Sequence, residues 1–169
     1  LGASNLGVHF LYGEINGRDE WLGERVFTDF TPPVSLENQR PLSDFEVIIF
    51  SIPFELDFAN ILQMLLDSGI EPESAKRRLH DPIIIAGGLA VSMNYRPLWR
   101  FMDVLAVSEG ESILSDMLDV LSEHHQDKPS VISSLAKKEG FVVPSESAHT
   151  EKSVSLQTPV MTEPVSSVF

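Results

Sequence analysis

"PIIIAGGLAVSMNYRP", residues 82–97, holds the clearest strand signal in the chain. Ile83-Ile84-Ile85-Ala86 is a short apolar run without alternation, the pattern of a strand buried on both faces of a parallel sheet. It stops at Gly87-Gly88, and Asn94 and Pro97 follow. In an open α/β sheet, ligands bind outside the carboxyl ends of the strands, and a glycine there lets backbone approach a ligand with no Cβ between. The plainer reading of the same pair is a tight turn.

Downstream, "DVLAVS" (103–108) reads as another strand, with a short helix expected over Pro97–Met102. "SEGESILSDMLDVLSEHH" then carries Ile113, Met117, Val120 and Leu121 as a helical stripe, and Ser108 and Glu111 have capping-box spacing. Residues 130–138 predict one more helix ending at Gly140, and "FVV" (141–143) a terminal strand. Upstream, "FEVIIFSI" (45–52) is a second buried strand, ended by Pro53 because proline cannot donate to a ladder. Phe58, Ile61, Leu62 and Leu65 put a helix over 55–68, closed by Gly69, and 70–81 reads as a polar loop. At the front, Val8, Leu11, Tyr12 and Ile15 mark a helix over 5–16 with Ser4 as N-cap, and "ERVFTDF" (24–30) suggests a short strand before Pro32-Pro33.

Strands alternating with amphipathic helices predict an α/β fold, a doubly wound, flavodoxin/Rossmann-like and mostly parallel sheet. Such a sheet normally opens with a strand, whereas this chain opens with a helix. Its first, central strand is expected upstream of Leu1, in a chain that is processed or a piece of something longer. Residues 1–143 read as one domain. Residues 144–169, rich in Ser, Thr, Pro and Glu, read as a linker or extended arm.

The 169 residues carry a net charge of −13, with 25 acidic against 12 basic side chains, so no nucleic-acid partner is expected. Lys76-Arg77-Arg78 is the one basic cluster and reads as a solvated turn. No apolar run is long enough to span a bilayer. There is no cysteine, which excludes disulfides, a cysteine nucleophile and cysteine-held clusters within these residues, and fits a cytoplasmic chain.

The candidate binding residues are those at strand ends: Ser51, Gly87, Gly88, Glu109 and Gly110. Acidic neighbours (Glu55, Asp57, Glu109, Glu111) speak against a bare phosphate. His9, His80, His124, His125 and His149 show no ligand spacing. Ser51 has no evident His/Asp partner in sequence. Asp44, Asp57 and Asp103 read as caps rather than paired carboxylates, and Trp21 and Trp99 as packing residues. No catalytic constellation is expected.

Three stretches, in order, carry a resemblance: "GASNLGVHFLYGEINGRDEWLGERVF", "PLSDFEVIIFSIPFELDFANILQMLLDSGI" and "PIIIAGGLAVSMNYRPLWRFMDVLAVSEGES". Together, over roughly residues 2–143, they resemble the N-terminal region of a family of large radical S-adenosylmethionine (radical SAM) proteins. The resemblance implies a cobalamin-binding-like domain ahead of a radical SAM barrel in the same polypeptide, whose CxxxCxxC loop holds a 4Fe-4S cluster. Gly87-Gly88 resembles the glycine pair beside the nucleotide tail in cobalamin domains, and Ser51 stands where that pattern has a serine. Two departures stand out. No D-x-H-x-x-G occurs, and Ser108 replaces the first glycine of Gly-x-Gly-Glu.

The expected function is therefore an accessory domain of a radical SAM enzyme, not catalytic alone, with cobalamin as its possible ligand and S-adenosylmethionine and the cluster belonging to the parent protein. One alternative is a relic fold that docks partners without a cofactor. Another is a free-standing flavodoxin-like nucleotide-binding domain, although no GxxxxGK[ST] or GxGxxG loop is present.

Overall fold

A computed structural model describes residues 6–28, 31–124 and 127–144, the side chains of residues 111 and 112 excepted. Four strands form one open sheet: β1 (Val47–Ser51), β2 (Ile83–Gly87), β3 (Val104–Ala106) and β4 (Phe141–Val142). They lie side by side in chain order, β1-β2 and β2-β3 parallel and β3-β4 antiparallel. The helices are α1 (Leu6–Asn16), α2 (Asp57–Asp67), α3 (Leu89–Met93), α4 (Gly110–His124) and α5 (Lys128–Leu135).

The strand period of two divides the core. Ile84 and Ala86 of β2, with Ile48 of β1 and Leu105 of β3, pack against Ile61 and Leu65 of α2 and Val91 of α3. Their neighbours Ile83, Ile85 and Val104 pack on the opposite face against Leu114, Leu118 and Leu121 of α4 and Val131 and Leu135 of α5. Both faces of β2 are covered, so its sequence reads as an unbroken apolar run. Leu65, Ile84, Ile85 and Leu105 are fully buried, each stabilising the fold by ~1.5–3 kcal/mol. The architecture is α/β, with a mostly parallel, Rossmann/flavodoxin-like sheet.

Several local expectations change. Residues 24–28 make no strand: Val26 forms a single bridge to Ser35, and residues 29 and 30 lie outside the described residues. A 3-10 turn at Arg96–Leu98 stands where a helix over Pro97–Met102 was expected. The five-residue helix α3 was not foreseen. α4 opens at Gly110, one residue later than the Ser108–Glu111 box implies. The predicted cap Ser4, His125, His149 and the arm over 145–169 fall outside the described residues.

The basic cluster is the clearest correction. The Arg77 side chain is not solvated but fully buried, 3.2 Å from Asp103, and its Nη1 donates to the carbonyls of Glu71 and Pro72. Asp103 is neither a helix cap nor one of a carboxylate pair. Its Oδ2 accepts from the Ile84 N–H at 2.8 Å, fixing the start of β2. Burial of an arginine is stable only with such partners.

Candidate functional site at the carboxyl edge of the sheet

The parallel strands β1, β2 and β3 end at one edge, so the segments after them converge as the sequence implied. A cavity of about 310 Å³ lies there. Ser51, Gly87, Gly88 and Gly110 line it, together with Ser108. Glu109 does not line it, although it is adjacent in the chain to two residues that do.

The glycine pair has a structural cause. Gly88 adopts φ +105°, and a Cβ there would stand 2.7 Å from the carbonyl oxygen of Ile52. The chain crosses that point because Ile52 N–H donates to Gly87 O at 2.8 Å and Ala90 N–H to Ile52 O at 3.2 Å. At Gly87 a Cβ would meet the Ala106 methyl at 3.1 Å, across the β2-β3 pair. Both glycines therefore let neighbouring strands close up, whatever occupies the cavity. Gly110 is different: nothing lies within 4 Å of its would-be Cβ.

The remaining wall comes from two helices. Phe10 and Leu11 of α1 and Ile113 and Met117 of α4 line the cavity, residues the sequence presents only as ordinary amphipathic stripes. Gly140 supports it from behind. Its carbonyl accepts from the Val107 N–H at 2.8 Å, and at φ +87° its would-be Cβ would be 2.8 Å from Ile113 Cγ2. The sequence marks Gly140 as a helix stop but not as a close approach, because its neighbours are distant in the chain.

Chemically the site is sparse. Among the described lining residues there is no charged side chain and no histidine; their side-chain polar groups are the hydroxyls of Ser51 and Ser108. Among the described residues no three His, Cys, Asp or Glu side chains gather to hold a metal. Among the described lining residues no imidazole is present to ligate the cobalt of a cobalamin, so they do not fit a histidine-ligated cobalamin. What the arrangement can do is bury an apolar group against glycine backbone and two hydroxyls.

No helix among the described residues is long and apolar enough to cross a membrane. No curated protein and no solved structure matches the chain. Residues 7–144 match the family described as radical SAM proteins, N-terminal, and this covers most of the chain. The chain belongs to that family of radical SAM N-terminal domains.

Proposed function

We propose that this domain is a non-catalytic accessory domain of a cytoplasmic radical SAM enzyme, and that its carboxyl-edge cavity seats an apolar element rather than cobalamin. One observation carries the reading: a cavity at the ligand-binding edge of the sheet is walled by apolar side chains, glycines and two serines, with no histidine or charged group among its described lining residues. Such a wall packs and positions, and its described residues offer no group for proton transfer. Membership in a family of radical SAM N-terminal domains supports a catalytic barrel, with its S-adenosylmethionine and 4Fe-4S cluster, in the same polypeptide. The absence of cysteine from these residues agrees with a cluster held elsewhere. Residues 144–169 would form the connection toward that barrel.

The test is titration of the full-length polypeptide with hydroxocobalamin, followed by absorbance and calorimetry. No saturable binding is expected at high micromolar cofactor. Saturable one-to-one binding that Gly110→Leu abolishes would replace this reading with a cobalamin-presenting domain. Gly110→Leu is the informative variant because its side chain meets open space, whereas Gly87 and Gly88 variants disturb the strands themselves.

A further inference from the structure

β1 is the end of the sheet, yet it is built like a central strand. Its sequence, Val-Ile-Ile-Phe-Ser, carries no charge or proline, the usual protections of an exposed edge. Glu46 O accepts from Ile83 N–H, and Ile52 N–H donates to Gly87 O. By the two-residue period, even-numbered residues 46–52 turn their backbone groups to β2, and Val47 and Ile49 turn theirs to the other side. Among the described residues no strand pairs there.

A groove of about 1720 Å³ runs along that edge, far larger than the voids a packed interior leaves. β1 lines it along its length, and so do residues 24–28 and α1. The apolar stripe of α1 (Val8, Leu11, Tyr12, Ile15) borders the groove; α1 has no buried residue, and Leu6 is 82% exposed. Leu11 and Ile15 pack in part against the α4-side core, and the stripe stays half open toward the groove.

We infer that this groove is the slot of a further parallel strand, supplied by the segment of the same polypeptide that precedes α1. Two observations select that occupant. Leu6, at the start of α1, lines both the groove and the carboxyl-edge cavity beside Ser51, so chain arriving there along β1 hands over to α1 at the correct end. α1 packs on the α4 side of the sheet, opposite α2. The connection β1-α2-β2 runs toward β2; one that starts in the slot and leads through α1 to residues 24–28 runs the other way. Right-handed crossovers of opposite direction place their helices on opposite faces, as found. An apolar, extended segment would meet β1 on one edge and the exposed stripe of α1 on one face. The inference does not depend on the cofactor or on radical chemistry.

The experiment uses the full-length polypeptide. With the slot filled, Ile49→Pro removes a paired N–H and lowers Tm by about 10 °C or more beyond Ile49→Ala, which controls for lost packing. Equal melting of the two variants would show an open edge and overturn the inference. Should Ile49→Pro fail to fold, hydrogen exchange of the unaltered protein decides: the amides of Val47 and Ile49 exchange as slowly as those of β2 if the slot is filled, and as fast as loop amides if it is not. Photo-cross-linking from benzoylphenylalanine at Phe27, which lines the groove, identifies the occupant. A cross-link to the segment preceding α1 supports the inference. A cross-link to a second copy or to another segment, or none, overturns it.

Discussion

The guanidinium of Arg77 lies 3.2 Å from the carboxylate of Asp103, with the two side chains 0% and 5% exposed. This pair joins parts of the fold that are far apart in sequence. Arg77 Nη2 also donates to Phe101 O at 2.8 Å, and Lys128 Nζ of α5 lies 3.3 Å from the same Asp103 oxygen. Two cations thus share one anion, which also holds the Ile84 N–H at the start of β2. Asp103→Asn keeps the shape but leaves both cations uncompensated in a buried setting. The expected loss is about 3–5 kcal/mol of unfolding free energy, read from urea denaturation. An unchanged midpoint would mean that Arg77 finds its compensation in the backbone carbonyls alone.

The two kinds of glycine at the sheet edge separate packing from ligand approach. Gly88→Ala forces an L side chain to φ +105° and its Cβ to within 2.7 Å of Ile52 O. It is expected to destabilise by about 3 kcal/mol or more. Gly110→Ala meets nothing within 4 Å and is expected to stay within about 0.5 kcal/mol of the wild type. Denaturation of the two variants side by side checks this. Equal losses would mean that the Gly110 backbone is held by something absent from its immediate surroundings.

These cases show what the sequence could and could not convey. Runs such as 82–86 and 45–52 declare themselves as strands because burial on both faces removes every polar residue from them. The convergence of Ser51, Gly87, Gly88 and Gly110 follows from the topology that those strands imply. Arg77 was legible only as one of three basic residues, since nothing local marks it as buried and its partner Asp103 comes from the far side of β2. The role of Gly88 was half legible: its position announced a close approach, but what approaches is the Ile52 backbone. The apolar wall from α1 and α4 was visible as stripes, and nothing in a stripe tells a core contact from a cavity lining.

Glu37 gives the fold a foothold against acid. Its Oε1 accepts from Arg25 Nε at 2.8 Å and its Oε2 from the Arg25 N–H at 2.8 Å, while the Arg25 guanidinium lies 4.5 Å over the Tyr12 ring of α1. Burial works against ionisation of Glu37, but the backbone and side-chain hydrogen bonds from Arg25 outweigh it, so its pKa falls below the ordinary 4.5. Stabilisation from this carboxylate is therefore complete above about pH 4.5 and is lost as pH falls through its lowered folded value. Glu37→Gln should cost about 1–3 kcal/mol at pH 7 and lessen the decline of stability below pH 4.5. Unfolding curves of both proteins over the acid range check it; parallel curves would assign the acid response to other carboxylates.

Lys128 works in the opposite pH range. Its ammonium is drawn from water by burial, which pushes its pKa below the ordinary 10.5 even though Asp103 pulls it upward. Between the lowered folded value and 10.5, the unfolded chain binds more protons than the folded one, so this group makes stability rise with pH. At lower pH the cost of keeping the charge buried is fully present. Lys128→Met is expected to remove that alkaline rise. Asp103→Asn, which takes away the attraction holding the proton, should make the rise begin at lower pH. The check is the difference in unfolding free energy between wild type and each variant from neutral pH to 10.5. A wild-type curve that stays parallel to that of Lys128→Met would mean that Lys128 keeps its proton throughout, held by Asp103 more strongly than burial expels it.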